Sequence, residues 1–283
     1  MTSQGGGITG SGVAARAPAG QDPVRIERPE AGIALLTLNR PQRRNSLSID
    51  MLAALHGAVS KLGMDRDVSA IVIAAEGPAF CAGHDLKELT AHRGDADGGR
   101  VFFAETMTRC AELMKAIVAC PKPVIAAVHA TATAAGCQLV ATCDLAVADE
   151  GAMFATPGVN IGLFCSTPMV ALSRNLPRKR AMEMLLLGEM IGAGQAADYG
   201  LVNRVVPAGR AREEALDLAR IIASKSTITV GIGKKAFYEQ IEMPLGEAYD
   251  YAAKVMVENM LKADAAEGIE AFLEKRPAVW KGC

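Results

Sequence analysis

Four short runs, apolar at almost every position, constrain this chain most: "IALLTL" (33–38), "AIVIAA" (70–75), "PVIAAVHA" (123–130) and "LAVA" (145–148). A strand that is apolar throughout, instead of alternating, has no face to give to water and must be buried. Helical patterns lie between them. Ser48 suits an N-cap for a helix with Leu52, Leu55, Val59 and Leu62 on one face. Phe103, Met107, Cys110, Met114 and Ile117 line a second helix that must end before Pro121 and Pro123. "AAGCQLVATCD" begins a third. Strand and helix alternating at this rhythm predict an α/β core of ββα-type units.

From about residue 167 the character changes. Helical patterns occupy 178–187, 208–224, 229–240, 245–262 and 264–274, and "VNRVV" (202–206) is a short strand between them. The expected organisation is a disordered tail over 1–23, a core over 24–205, and a helical region over 206–283 that serves covering or assembly. The tail is rich in Gly, Ala, Ser and Pro and has no apolar block of the secretory kind. Thirty basic against 31 acidic residues give a net charge of −1, which argues against nucleic acid as a partner. No apolar run is long enough to cross a bilayer, so no membrane partner is expected. The 7 cysteines form no CxxC and the chain has only 4 histidines, so no metal site is expected. Most of the cysteines sit in apolar runs, as buried reduced thiols do. The expected location is the cytoplasm, with the mitochondrial matrix as the alternative.

Two segments share one construction. In "AFCAGHDL" (79–86) and "TAAGCQL" (133–139) a strand runs into small residues and then a helix. Small side chains let a ligand approach the backbone, and free N–H groups at a helix start favour negative charge. Two such turns that converge can cradle an oxygen that becomes anionic during a reaction. Glycines that only allow tight packing would look the same at this level.

Together with "LNRPQRRNSLS", "KPVIAAVHATATAAGCQLVATCDLAVA", "FATPGVNIGLF" and "FLEKRPAVW", these segments resemble the crotonase (enoyl-CoA hydratase/isomerase) superfamily over residues 24–281. Within it, the chain is similar to the divergent enoyl-CoA-hydratase-domain-containing subgroup. The resemblance implies a spiral of ββα units with C-terminal helices that trimerise, often into a dimer of trimers. It implies an acyl-CoA thioester as ligand, in fatty-acid and acyl-CoA metabolism. Coenzyme A enters as part of the substrate, and no separate cofactor is expected.

Carried over residue by residue, the oxyanion hole falls on the backbone N–H groups of His84 and Ala135. The family usually has Gly where this chain has Ala135, so a positive φ there would put the donor in doubt. The two glutamates of the hydratases fall on Gln138 and Gly158, and neither is a carboxylate here. Adding water across C2=C3 needs one group to activate the water and one to deliver a proton. Gln can orient water without taking its proton, and Gly can do neither. The expectation is weak or absent hydration. His84 can orient a carboxylate or shuttle a proton, since some decarboxylases of the superfamily carry the same "AGHD" run and a similar "FLEKR" tail. Its ring can equally be a packing group beside the CoA. Cys165 and Ser166 fall near a further active-site position, although Cys165 reads more simply as a small buried hydrophobe. Asp144 reads as structural, and Asp85 and Glu88 as helix-start charges.

For CoA the resemblance implies the backbone of Ala82, His84 and Leu86, the guanidinium of Arg43 or Arg44 on phosphate, and Lys275 and Lys281, from the same subunit or a neighbouring one. Each of these basic residues taken singly fits a solvated surface charge. Three functions stay open on these grounds: an acyl-CoA enzyme, including a decarboxylase using His84; a non-catalytic acyl-CoA-binding or regulatory protein; and a structural partner in a mixed assembly of fatty-acid enzymes.

Overall fold

The computed structural model describes residues 22–283, so the expected tail lies, up to residue 21, outside the described residues. The chain begins β1 (Val24–Glu30), β2 (Gly32–Leu38), α1 (Ile49–Gly63), β3 (Val68–Ala75), β4 (Ala79–Cys81), α2 (Leu86–Ala91) and α3 (Arg100–Ala119). It continues β5 (Val124–Val128), β6 (Thr131–Thr133), α4 (Ala135–Thr142), β7 (Leu145–Asp149), β8 (Met153–Ala155), α5 (Pro168–Asn175) and α6 (Arg178–Leu187). It ends β9 (Ile191–Gly192), α7 (Ala193–Asp198), β10 (Arg204–Val206), α8 (Ala211–Ala223), α9 (Thr227–Gln240), α10 (Leu245–Met260) and α11 (Ala263–Glu274).

The four apolar runs are β2, β3, β5 and β7, which lie side by side in a six-stranded sheet ordered β1-β2-β3-β5-β7-β10. Alternate residues of each strand enter two separate cores. Ala34, Leu36, Leu38, Ile71 and Ile73 pack on one face, with Leu52, Leu55 and Val59 of α1 and Leu113 and Ile117 of α3. Ile33, Leu35, Ala70 and Val72 pack on the other, with Ala211, Ala215, Leu218 and Ala219 of α8. A strand filled on both faces has no polar positions to spare, which is why these runs are continuously apolar. α8 therefore lies on the sheet with the core, and the helices that follow it form a layer of their own.

β1 pairs antiparallel with β2 at the sheet edge. It is polar and largely exposed along "VRIERPE", as edge strands that resist pairing with other chains are. Three of its charges are paired: Arg25 with Glu76, Arg28 with Asp65, and Glu30 with Arg220.

Three strands of the large sheet each lead into a short strand of a second sheet, ordered β4-β6-β8-β9. β3 is followed by β4, β5 by β6, and β7 by β8, and a helical segment then returns the chain. β4, β6 and β8 are mutually parallel. Their carboxyl ends therefore lie on one side, and turns distant in sequence become neighbours.

Among the C-terminal helices, no residue of α9 or α10 is buried. Phe237, Tyr249, Met256, Val257, Phe272 and Leu273 are all exposed. A half-buried polar anchor holds this layer to the core: Lys234 Nζ donates to Asp144 Oδ2 at 2.6 Å, to the Ile117 carbonyl at 2.9 Å and to the Lys122 carbonyl at 3.1 Å. Tyr238 donates to the other oxygen of Asp144. Asp144 is thus structural, as expected. No helix among the described residues is long and apolar enough to cross a membrane.

Candidate functional site

The site lies where β4, β6 and β8 end. Residues 82–84 follow β4, residues 134–138 follow β6, and residues 156–158 follow β8. Thr133 pairs with Ala155 across β6 and β8, and the Ala134 N–H donates to the Ala155 carbonyl at 2.9 Å.

The first two turns touch. A Cβ placed on Gly83 would stand 2.9 Å from the Ala134 Cβ, 3.0 Å from the Thr133 carbonyl oxygen and 3.3 Å from the Ala135 nitrogen. A Cβ on Gly136 would stand 2.2 Å from the Cys81 carbonyl oxygen. Glycine at both positions lets the two backbones approach, and Gly83 also takes φ +88°. Among the described residues, neither the His84 N–H nor the Ala135 N–H donates a hydrogen bond. Two uncommitted donors on adjoining turns, one of them at the start of α4, can bind an oxygen that gains negative charge.

The positive φ that would have compromised Ala135 belongs to its neighbour. Ala134 has φ 50° and ψ −120°, and Ala135 is the first residue of α4. Backbone of this kind is strained for any residue with a Cβ. It turns the chain sharply from β6 into α4 and leaves the Ala135 N–H at the helix start.

The first turn is held from outside. Asn45 is fully buried and also left-handed, with φ 52°. Its amide donates to the carbonyls of Glu76 and Ala79, both at 2.9 Å, and its Oδ1 accepts from the Arg40 N–H at 2.9 Å. Next to it, Ala82 N–H donates to the Arg44 carbonyl at 3.0 Å and Leu47 N–H to the Gly83 carbonyl at 2.7 Å. The basic turn is thus a clamp on the 76–84 segment. Asn45 has no sequence signal beyond its place in "NRPQRRNS".

Asp85 caps α2, accepting from the Lys87 and Glu88 N–H groups, and pairs with Arg43 at 3.1 Å. Burial works against its ionisation, yet the Glu88 N–H and the Arg43 guanidinium hold its carboxyl below the usual range. Glu88 accepts from the Ile49 N–H at 3.0 Å. Burial, with Asp85 and Asp50 nearby, raises its pKa despite that bond. Both acids have the structural roles expected of helix-start charges.

The His84 ring has both nitrogens enclosed and neither hydrogen-bonded. Burial lowers its pKa, and the Leu47 backbone, close by but outside hydrogen-bonding geometry, offsets part of that effect. The ring is neutral near pH 7, with one N–H to give and one lone pair to receive.

Gln138 lies in the first turn of α4 and is 4% exposed. Its Oε1 faces the Cys110 thiol of α3, with Sγ at 3.8 Å. Burial pushes that thiol up to about 12, so it remains protonated and a donor. The Gln138 Nε2 has no partner among the described residues. Thr156 is fully buried, and its hydroxyl is likewise unpartnered.

Gly158 has no room for a side chain. A Cβ there would stand 2.7 Å from the Leu163 carbonyl oxygen and 2.9 Å from the Cys165 Sγ. The Leu163 N–H donates back to the Gly158 carbonyl at 2.9 Å. The loop after Gly158 thus folds over the direction a side chain would take. Cys165 is buried, and burial raises its pKa against the opposing Gly158 backbone contact. It is a protonated thiol packed into the turn. Ser166 bonds only its own loop, to the Phe164 carbonyl at 3.3 Å.

Of the residues expected at CoA, Ala82, His84 and Leu86 lie along the first turn and the start of α2. Arg43 is tied beside them by Asp85. Arg44 is exposed, and its side chain makes no ion pair among the described residues. Lys275 ends α11 with φ 58°, and both it and Lys281 are exposed. No hydrogen bond or ion pair among the described residues joins either lysine side chain to the 82–86 turn.

A two-sheet ββα spiral whose paired turns carry free N–H groups at the ends of parallel strands is the crotonase architecture. The enoyl-CoA hydratase/isomerase family model matches residues 28–283, and the chain belongs to that family. It is 49% identical over 249 residues to human enoyl-CoA hydratase domain-containing protein 3, mitochondrial, covering 88% of this chain and 80% of the relative. The solved structure of that human protein superposes with TM-score 0.86 at 47% identity, covering 91% of this chain and 100% of the other. A Mycobacterium smegmatis structure described as enoyl-CoA hydratase superposes with TM-score 0.87 at 50% identity, covering 92% and 99%.

Proposed function

We propose that this protein binds an acyl-CoA thioester, seats the thioester oxygen between the N–H groups of His84 and Ala135, and stabilises the enolate form of the acyl group. The observation that carries this reading is the contact of the two turns at Gly83, Ala134 and Ala135, with both donors uncommitted. Hydrogen bonds that strengthen as the oxygen gains charge lower the barrier to any reaction through an enolate. Arg44, Arg43 and the backbone of Ala82, His84 and Leu86 serve the CoA portion, with Lys275 and Lys281 contributing from the C-terminal segment. Coenzyme A arrives as part of the substrate.

Hydration is weak or absent, because Gln138 cannot take a proton from water and Gly158 has no side chain. A second reading, a non-catalytic acyl-CoA binder in fatty-acid metabolism, draws support from the closed space at Gly158. The exposed apolar residues of α10 and α11 support assembly into a homotrimer or a dimer of trimers. Free cysteines throughout the described residues fit a reducing compartment, either cytoplasm or mitochondrial matrix.

Isotope-edited infrared spectroscopy of acetyl-CoA labelled at the thioester carbonyl tests the reading. Binding should shift the carbonyl stretch to lower frequency, as two donors polarise the bond. Binding without a shift would mean that the paired N–H groups do not receive the carbonyl.

A further inference from the structure

Apolar burial does little to fasten α11. A helix held by an apolar face buries a stripe at helical spacing. This one buries only Asp264 and Ala271, while Ile269, Phe272 and Leu273 are exposed. Segments with few buried apolar contacts open locally at a lower free energy than the core does. What fastens α11 is polar.

Residues 276–283 form a strap that runs back along α11. Lys275, with φ 58°, reverses the chain. Arg276 then pairs with Glu267 and Glu274, and the Val279 N–H donates to Glu267 at 2.8 Å. Trp280 lies on Gly268, where a Cβ would stand 3.1 Å from the indole ring. The strap arrives at the first turn of α11 and at Asp264, which is 2% exposed. The Lys281 N–H donates to Asp264 Oδ1 at 2.7 Å and the Gly282 N–H to Oδ2 at 3.0 Å. The Asp264 N–H donates to the Cys283 carbonyl at 3.1 Å.

Among the described residues, two side-chain hydrogen bonds join residues 263–283 to the rest of the chain. The Ser226 hydroxyl donates to Asp264 Oδ2 at 2.6 Å, and the Trp280 Nε1 donates to the Ser224 carbonyl at 2.8 Å. Both partners lie at the junction of α8 and α9, where Ser226 is also the N-cap of α9. Asp264 governs both ties. It makes the first directly, and it holds the strap that presents Trp280 for the second. Burial works against its charge, yet the Ser226 hydroxyl and the Lys281 and Gly282 N–H groups hold its carboxyl below the usual range. Hydrogen bonds to an ionised acceptor are the stronger kind.

We infer that α11 and the strap form one latched unit, with Asp264 as the latch, which opens from the α8–α9 junction while the core stays folded. The Arg276–Glu267 pair lies inside the unit and keeps helix and strap together when it opens. α9 remains in place, because Lys234 and Tyr238 tie it separately to Asp144. The unit carries Ile269, Phe272 and Leu273, so the latch decides whether these exposed side chains are presented from a fixed helix or a mobile one.

Hydrogen exchange of the full chain, read by mass spectrometry, tests this, with fluorescence of Trp280, the single tryptophan. In the parent, residues 263–283 should exchange together and faster than β2 and β3. Asp264→Asn keeps the size of the side chain and removes the charged acceptor. It should speed exchange across 263–283 by about tenfold or more, the effect of losing a hydrogen bond to a charged group. α9 and the sheet should keep their parent rates, and Trp280 emission should move to the red. Trp280→Phe, which loses the bond to Ser224, should speed the same segment and supplies the test if Asp264→Asn does not fold. Unchanged exchange over 263–283 in the variants would overturn the inference. So would acceleration that spreads to α9 and the sheet, which would make Asp264 a general stability residue, or a strap that opens while α11 stays protected.

Discussion

The Sγ of Cys165 stands 2.9 Å from the point a Cβ on Gly158 would occupy, and the Leu163 carbonyl oxygen stands 2.7 Å from it. The position that the family resemblance matches to a hydratase glutamate is therefore closed by the chain's own loop as well as lacking an acid. Gly158→Ala should destabilise the fold by about 1–3 kcal/mol through overpacking. Gly158→Glu should cost more and confer no hydration. Urea unfolding measures both. A Gly158→Ala protein as stable as the parent would show that Leu163 and Cys165 yield freely.

Ala134 has φ 50° and ψ −120°, and it follows directly on β6. A non-glycine residue in such a region costs on the order of 1–3 kcal/mol. Glycine adopts it without strain but gives back about 0.4–1 kcal/mol through a freer unfolded chain. Ala134→Gly should therefore raise Tm modestly while keeping acyl-CoA affinity. A lower Tm would mean that the Ala134 methyl against Gly83 contributes more than the strain removes.

Asn45 makes three hydrogen bonds from a fully buried position. Asn45→Ala leaves two carbonyls and one N–H without partners, and should cost about 2–4 kcal/mol. If the 40–47 clamp positions the His84 N–H, the thioester carbonyl shift in the infrared should also shrink. A destabilised Asn45→Ala that keeps the full shift would confine Asn45 to stability alone.

His84 titrates below its ordinary value of 6.5 because its ring is buried. On acidification the unfolded chain binds this proton first, so folding stability is full above about pH 6.5 and falls as the pH drops toward the folded value. Histidine NMR should find the His84 ring neutral at pH 6.5. A ring half-protonated at or above that pH would contradict its burial among uncharged neighbours.

The large sheet is legible in the sequence because its strands carry apolar residues to both faces. In β2, Ile33 and Leu35 enter one core while Ala34 and Leu36 enter the other, so the run has no polar break. α1 is legible from Ser48, whose hydroxyl accepts the Met51 N–H as a cap should. β1 is not, because an edge strand is polar. β4, β6 and β8 each span too few residues to show a period. Yet these short strands are the reason the site exists, since the parallel order β4-β6-β8 brings residues 82–84, 134–138 and 156–158 together. The family resemblance indicates the two turns, Gln138 and Gly158. It does not indicate that Cys110 orients the Gln138 amide, that Thr156 is enclosed without a partner, or that the positive φ at this turn falls on Ala134 and not on Ala135. Those are properties of packing, and they depend on residues remote in sequence.

The measurement that tests this account most directly is hydration of crotonyl-CoA by the purified protein, with acetyl-CoA binding verified on the same sample. The account predicts binding with hydration weak or absent. Turnover at the rate of an ordinary hydratase would contradict it, and would mean that Gln138, His84 or Cys165 moves the protons that the two missing carboxylates otherwise move.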